Sequence, residues 1–125
     1  MNKNNRLEIA QETLKIIENG YYFVNENKID VSQEIKNNID NTFTISPNDW
    51  TDIVSKSIKE NDDQSVIEVK NCSSIEAIVS ESSLKVGVLN FASAKNPGGG
   101  FLGGASAQEE SLARSSSLYS SLIKD

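Results

Sequence analysis

The sequence predicts an α/β fold, in which a parallel or mixed sheet is flanked by helices and preceded by a helix and a β-hairpin. A strand is predicted at 66–69, and the run at 85–91 is apolar on both faces, as a buried parallel strand would be. Between them, Ser73 and Glu76 have the spacing of a capping box for a helix over 75–81. A glycine-rich loop and another helix follow, so the order is that of a βαβα unit with parallel pairing.

The first part of the chain predicts a helix and then a hairpin. A helix over 6–19 would end at Gly20, and its apolar stripe consists of Leu7, Ala10, Leu14 and Ile17. Two short strands, at 21–24 and 29–31, would enclose the polar turn at 25–28.

Three elements are predicted between the hairpin and the sheet. They are a helix from Ser32, a short strand at 42–45, and a helix with Ser46 as N-cap and Pro47 as its first residue. Trp50 is expected to anchor the core from the last of these. The rest of its buried face would be Ile53, Val54 and Ile58, with a solvated loop at 61–63.

Composition excludes several kinds of chemistry. The chain has 125 residues, of which 37% are hydrophobic and 24% charged, as expected of one globular domain with a modest core. It has no histidine, which removes Ser-His-Asp catalysis and most zinc sites, and we expect neither a metal nor a cofactor. Cys72 is expected to be a buried thiol. The net charge of −6 argues against binding of duplex DNA.

Neither a membrane span nor a signal peptide is expected. No apolar run approaches the roughly 18 residues of a transmembrane helix, and the start of the chain lacks an apolar signal region. We therefore expect a cytoplasmic location and no membrane partner. A parallel sheet of two or three strands would leave an unpaired edge, so the chain is expected to be part of a longer domain.

The last predicted helix carries two adjacent carboxylates at its start. Ser106 and Glu109 have capping-box spacing, which predicts a helix over about 107–123. Its buried face would comprise Leu112, Tyr119, Leu122 and Ile123. Glu109 and Glu110 then lie in the first turn, directly after the glycine loop.

The glycine loop fits common nucleotide-binding patterns poorly. Residues 98–103 satisfy the dinucleotide pattern G-x-G-x-x-G, but residues 92–97 separate them from the preceding strand. No acidic residue ends a second strand downstream. A P-loop is excluded because no Gly-Lys-Ser/Thr follows.

The segment from Asn90 to Gly100, followed after seven intervening residues by Gln108-Glu109-Glu110, resembles the signature of poly(ADP-ribose) glycohydrolases. In that family a triple glycine precedes Gln-Glu-Glu by a short fixed gap. The flanking sequence resembles the microbial type of the family. The residues that carry this likeness are Leu112, Arg114-Ser115 and Leu118-Tyr119. Stretches 7–13 and 66–72 extend the resemblance over most of the chain.

The resemblance implies hydrolysis of the ribose–ribose O-glycosidic bond of poly(ADP-ribose), with Glu110 as the catalytic acid. Glu109 would hold ribose hydroxyls, Asn96 the neighbouring ribose, and Gln108 would position the substrate. The glycines would let backbone N–H groups approach the diphosphate. The full set of implied substrate-binding residues is Asn90, Asn96, Gly98, Gly99, Gly100, Phe101 and Gln108.

The same resemblance implies an incomplete macro-domain-like fold. Residues 1–62 would be the helix and hairpin extension, and residues 63–125 the first half of a macro-like catalytic domain. Family members are longer and supply further strands and a second phosphate-binding loop. The implied partners are poly(ADP-ribose) or ADP-ribose, and ADP-ribosylated proteins.

The two carboxylates are expected to differ in role, because successive helical residues point about 100° apart. A catalytic acid must be protonated near neutral pH, and an adjacent carboxylate or burial under a ligand would raise the pKa of one of the pair. The helix N-terminus and Arg114, four residues after Glu110, act in the opposite direction.

Structural explanations stay open for the same residues. Glu109 could be the N3 member of the capping box, and Glu110 with Arg114 an exposed helix pair. Asn96 could open a turn with Pro97, and Lys95 could either steer a phosphate or be solvated. For the whole chain, the alternatives are a non-catalytic ADP-ribose-binding macro module and a truncated product without a stable pocket.

Overall fold

A computed structural model describes residues 1–57, 64–81 and 83–124. The chain divides into two compact units, Met1–Asn41 with Cys72–Asp125 and Thr42–Asn71. The predicted buried position Ile58 and the predicted loop at 61–63 lie outside the described residues. No helix within the described ranges has the length and apolar character to cross a membrane.

The first unit begins with helix α1 (Lys3–Asn19). Asn2 is its N-cap and accepts a hydrogen bond from the backbone N–H of Asn5 at 2.9 Å, which explains why the helix begins earlier than the predicted Arg6. Gly20 ends the helix in the left-handed conformation, with φ 75°. The predicted helix and its glycine stop are confirmed.

Two antiparallel strands follow, β1 (Tyr21–Val24) and β2 (Asn27–Asp30). Tyr21 pairs with Asp30, and Val24 with Asn27. The turn between the strands is two residues long, and Asn25 and Glu26 have φ 47° and 69°, as a type I′ turn requires. The predicted four-residue turn is therefore wrong. Helix α2 (Ser32–Asp40) follows as predicted.

The second unit contains helix α3 (Pro47–Ser57). Its start is confirmed, because Asp49 Oδ2 accepts a hydrogen bond from Ser46 Oγ at 2.6 Å and Asp49 N–H donates to Ser46 Oγ at 3.3 Å. Its predicted buried face is wrong. Trp50 is 57% exposed, since a unit of this size cannot enclose so large a side chain.

The predicted strands at 42–45, 66–69 and 85–91 form no ladder among the described residues, whose sheet consists of β1 and β2. The predicted parallel pairing is therefore wrong for this part of the chain. Val66, Ile67 and Val69 are 93%, 91% and 94% exposed. An apolar run becomes a buried strand only where neighbours pair with its backbone and cover its faces, and no described segment does so here.

Helix α4 (Ser74–Ser80) confirms the predicted capping box. Ser73 Oγ accepts from the N–H of Glu76 at 3.2 Å, and Glu76 Oε2 accepts from the N–H of Ser73 at 2.7 Å. Cys72 is exposed, contrary to prediction, because it lies in the bend before the N-cap and outside the packed helix.

The single predicted helix over 107–123 is two helices, α5 (Gln108–Ser115) and α6 (Leu118–Leu122). The break lies at a run of serines. Ser116 is extended and its hydroxyl donates to the carbonyl of Leu112 at 2.8 Å and accepts from the N–H of Leu118 at 3.2 Å. Serine side chains compete with helical backbone bonds in this way, which the apolar pattern alone does not reveal.

The core of the first unit lies between α1, α5 and a short 3₁₀ turn at Phe101–Gly103. Ala10, Phe101 and Ala113 are buried together, and Leu14 and Tyr119 pack against them. Thr13 Oγ1 also donates to the carbonyl of Arg114 at 2.7 Å, which joins α1 to α5. This packing fixes the glycine loop beside the first turn of α5.

Candidate functional site

The carboxyl of Glu110 lies directly on the glycine loop. Its Oε1 accepts a hydrogen bond from the N–H of Gly100 at 3.0 Å. Its Oε2 is buried and has no hydrogen-bond partner among the described residues. One oxygen is therefore fixed, while the other remains an unused acceptor inside the site.

Gly99 is the residue that makes room for this carboxyl. A Cβ at this position would overlap Glu110 Oε1 and lie 2.9 Å from Glu110 Cδ and 3.2 Å from Glu109 Oε2. Its φ of +60° is also a backbone conformation in which any residue with a Cβ is strained. The triple glycine and the two glutamates thus belong together because the carboxyls occupy the space that a side chain at Gly99 would need.

Each N–H group of the triple glycine donates a hydrogen bond to an acceptor within the chain. Gly98 N–H donates to Glu109 Oε1 at 3.1 Å, and Gly99 N–H donates to the carbonyl of Asn96 at 2.8 Å. Gly100 N–H donates to Glu110, as described above. These donors are occupied within the chain in this structure, and their approach to a diphosphate stays a prediction.

Glu109 braces the loop through both of its oxygens. The residue is 3% exposed, and its Oε2 accepts from the N–H of Ser93 at 2.7 Å while Oε1 accepts from Gly98. The predicted capping box with Ser106 is wrong, since the N-cap of α5 is Ala107 and has no side-chain cap. The carboxylate that would complete that box is directed at residues 93 and 98 instead.

Replacement of Glu109 by glutamine is expected to lower the free energy of unfolding by about 1.5–3 kcal/mol. Glutamine has one acceptor oxygen, and its NH₂ group would face a backbone N–H that also donates. Urea unfolding monitored by circular dichroism measures the change. Glu8→Gln, on the exposed face of α1, is the matched control and should stay within about 0.5 kcal/mol of the original. Equal midpoints for E109Q and E8Q would contradict the bracing role.

Gln108 holds the segment that leads into the loop. Its Oε1 accepts from the N–H of Phe91 at 2.8 Å, and its Nε2 donates to the carbonyl of Leu89 at 2.8 Å and to Ser74 Oγ at 3.2 Å. The amide bonds to residues 89 and 91 as a neighbouring strand would. Gln108 therefore positions backbone in this structure, and its contact with substrate stays a prediction.

The remaining predicted residues lie in three different settings. Asn90 Oδ1 is buried without a hydrogen-bond partner among the described residues, so it is a second unused acceptor. Asn96 is exposed and, with Lys95 and Glu109, lines a shallow pocket of about 260 Å³. Phe101 is 1% exposed and its ring lies 4.9 Å from that of Tyr119. Its ring supports the loop from the core, and its contact with substrate stays a prediction.

The pKa of the Glu110 carboxyl is lowered from its ordinary value of 4.5. The hydrogen bond from Gly100 N–H is the largest cause, and burial opposes it by raising the pKa. Arg114 contributes a smaller lowering but forms no ion pair with Glu110, because its Nη1 donates to the carbonyl of Ala105 at 2.6 Å. The alternative of an exposed Glu110–Arg114 pair is therefore excluded, since Arg114 is buried.

Sequence reasoning missed two groups that shape the site. Ser93 bonds to Glu109 through its N–H and accepts the N–H of Asn96 on its hydroxyl at 3.2 Å. A serine that bonds to the backbone three residues later is a common turn pattern and could have been noticed. Arg6 donates from Nε to the carbonyl of Gly104 at 2.7 Å, across 98 residues of sequence, and no local signal reveals it.

Fold and site together place a carboxyl against a glycine loop at the start of a helix. The family model for the catalytic domain of microbial-type PARG, poly(ADP-ribose) glycohydrolase, matches residues 10–125. The chain belongs to this family. None of the curated proteins matches its sequence.

Solved structures of poly(ADP-ribose) glycohydrolase from Thermomonospora curvata are similar to this chain. One is 33% identical with a TM-score of 0.87, and the match covers 97% of this chain and 46% of that chain. Another, bound to the inhibitor ADP-HPD, is 34% identical with a TM-score of 0.80 and coverages of 97% and 44%. The chain thus spans less than half the length of these structures. The matches confirm the predicted family and the mixed α/β fold class.

Proposed function

We propose that this protein hydrolyses the ribose–ribose O-glycosidic bond of poly(ADP-ribose) and releases ADP-ribose. The observation that carries the proposal is the placement of Glu110, with Oε1 bound to Gly100 N–H and Oε2 buried and unpaired among the described residues. A carboxyl fixed on one oxygen presents the other in a defined direction, which is what proton transfer to a leaving group requires. Family membership supports the same reaction.

In the proposed mechanism Glu110 is a general acid. Its Oε2 carries the proton and delivers it to the leaving ribose oxygen as the bond to the anomeric carbon breaks and positive charge develops on the sugar. Water then adds to the anomeric carbon, and its proton returns to the carboxylate. Gly100 N–H stabilises the carboxylate that forms during the first step, so this hydrogen bond strengthens as the reaction proceeds.

Because the pKa of Glu110 is lowered in the free protein, we propose that substrate binding is what protonates the carboxyl. In the free protein the carboxyl is ionised at neutral pH, and the hydrogen bond from Gly100 lowers its pKa further. A sugar bound beside Glu110 would exclude the water that still reaches the carboxyl, and desolvation disfavours the charged form. Substrate binding would therefore raise the pKa of Glu110 and protonate it where the proton is needed.

We propose roles in the same mechanism for the other predicted site residues. Asn90 Oδ1 accepts a hydrogen bond from a substrate hydroxyl, and Asn96 contacts the neighbouring ribose beside the 260 Å³ pocket. Glu109 and Gln108 position the loop and the segment before it. Gly98, Gly99 and Gly100 allow the close approach of chain and carboxyl, with Phe101 beneath them in the core.

We also propose the domain organisation, the binding partners and the cellular location. Residues 1–62 serve as an extension and residues 63–125 as the first half of a macro-like catalytic domain. The partners are poly(ADP-ribose), ADP-ribose and ADP-ribosylated proteins in the cytoplasm, without duplex DNA or membrane. The net charge of −6 supports the exclusion of duplex DNA.

The value of kcat/KM for ADP-ribose release is expected to rise as pH falls from 7 toward 5, by up to about tenfold per pH unit. The sign follows from the pKa of Glu110, which lies below its ordinary value in the free protein, so lower pH increases the protonated fraction. Initial rates at low substrate concentration, measured across this range, test it. A kcat/KM that falls steadily from pH 7 to 5 would contradict the acid role of Glu110.

The proposed reaction is tested by incubating the protein with poly(ADP-ribose) and quantifying released ADP-ribose by chromatography. Isothermal titration with ADP-ribose is run in parallel. Release of ADP-ribose supports the hydrolase. Binding of ADP-ribose without release from polymer overturns it in favour of the non-catalytic binding module, and absence of both contradicts either function for this chain.

A further inference from the structure

The two arginines of the chain hold neighbouring carbonyl groups at the end of the glycine loop. Arg6, from α1, donates from Nε to the carbonyl of Gly104 at 2.7 Å. Arg114, from α5, donates from Nη1 to the carbonyl of Ala105 at 2.6 Å. Arg6 also donates from Nη1 to the carbonyl of Met1 at 2.7 Å, so its guanidinium joins the start of the chain to the loop.

These carbonyls belong to the short link between the glycine loop and the helix that carries Glu110. On the loop side, Ala105 N–H donates to the carbonyl of Gly100 at 3.1 Å. On the helix side, α5 begins three residues later, at Gln108. The link therefore sets the distance between Gly100 N–H and the Glu110 carboxyl, which are the two partners of the central hydrogen bond.

Helix α1 packs against this link at very short range. A Cβ on Gly104, whose φ is +73°, would lie 3.0 Å from the carbonyl oxygen of Lys3 and 3.2 Å from Leu7 Cγ. Only glycine permits both the backbone conformation and this approach. Arg6 thus acts from a helix that already touches the link.

The two guanidiniums are held close together at an electrostatic cost. Arg114 is 6% exposed, and both burial and the charge of Arg6 lower its pKa. Neither arginine forms an ion pair among the described residues. Burying a charge without an ion-pair partner is costly, and the carbonyl groups of Gly104 and Ala105 are the acceptors that offset this cost.

We propose that Arg6 and Arg114 are positioning residues for Glu110, which fix the link at Gly104 and Ala105 and thereby hold the carboxyl on Gly100. The claim about position stands on the geometry of this chain. Its consequence for catalysis, a loss of kcat when either contact is removed, rests on the proposed hydrolase function.

The test is a carbon-detected NMR titration of the Glu110 carboxyl in the original protein, Arg6→Met, Arg6→Lys and Lys15→Met. Arg6 is the informative position, because the charges acting directly on Glu110 include Arg114 but not Arg6. We expect R6M to raise the pKa of Glu110 toward 4.5 and to shift the Gly100 amide proton upfield, as the hydrogen bond lengthens. R6K should restore part of the shift. K15M, which removes an exposed charge from the same helix, should change neither signal.

An unchanged Glu110 pKa and an unchanged Gly100 amide signal in folded R6M would overturn the proposal. If R6M does not fold by circular dichroism, Arg114→Lys decides in its place, since it keeps the charge but places a single ammonium where the planar guanidinium was. The R114K variant should also raise the pKa of Glu110, and an unchanged value overturns the proposal.

Activity provides the second readout. For ADP-ribose release, R6M should lower kcat by about 10–100-fold with little change in KM, because misplacing the acid affects the chemical step more than binding. If the original protein releases no ADP-ribose, the proposed function fails while the NMR titration still decides the positioning role. If R6M moves the titration but leaves kcat unchanged, the catalytic consequence is refuted.

Discussion

Replacement of Glu110 by glutamine is expected to lower kcat for release of ADP-ribose from polymer by about 10²–10⁴-fold, the range that a general acid contributes. Glutamine has nearly the same shape, and its amide oxygen can still accept from Gly100 N–H. It cannot supply the proton that the leaving ribose oxygen needs. Product release measured by chromatography gives kcat, and isothermal titration gives the affinity for ADP-ribose.

The E110Q variant separates chemistry from binding. Affinity for ADP-ribose should stay within a few-fold of the original, because the site keeps its shape. Glu12→Gln, on the exposed side of α1, is the matched control and should keep full activity. Undiminished release by E110Q would show that another group donates the proton.

Replacement of Gly99 by alanine is expected to have the second-largest effect. The new methyl group would overlap Glu110 Oε1, and the backbone φ of +60° adds about 1–2 kcal/mol of strain. The carboxyl must move off Gly100, so we expect a loss of kcat of about 10²-fold, together with lower stability. Initial rates and urea unfolding measure the two effects.

Gly103→Ala is the matched control for this change. It lies in the same loop, but a Cβ there would meet no atom within 4 Å. We expect G103A to keep near-original stability and activity. If G99A and G103A behave alike, the signature glycine is not required by the carboxyl, and the packing account of the motif fails.

The predictable parts of the fold are those decided by neighbouring residues. Gly20 ends α1, Ser46 with Pro47 begins α3, and Ser73 with Glu76 caps α4, each through bonds spanning a few residues. The predicted strands at 66–69 and 85–91 would need distant partners for their backbone, and the composition of a run does not reveal whether it has them. The helix break at Ser116 was missed because hydrogen bonds of the serine hydroxyl determine the backbone conformation there. The apolar pattern of the surrounding residues carries no sign of these bonds.

The motif predicted the location of the candidate site in the sequence, but not the arrangement of its residues. The triple glycine and Glu110 were expected to lie close together, and the structure has the Glu110 carboxyl bound to Gly100. The division of work between the two glutamates was not predictable from their position in a helix. Glu109 bonds to Ser93 and Gly98, which precede it by 16 and 11 residues, and a loop conformation of that kind has no short-range signal.

The most direct test of the central claim is the NMR titration of the Glu110 carboxyl with and without saturating ADP-ribose. The claim is that the hydrogen bond from Gly100 lowers the pKa of this carboxyl in the free protein, and that a bound sugar raises it so that the carboxyl acts as an acid. The account predicts a pKa below 4.5 without ligand and a clearly higher value with it. A pKa at or above 4.5 in the free protein, or a value that ADP-ribose leaves unchanged, would contradict it.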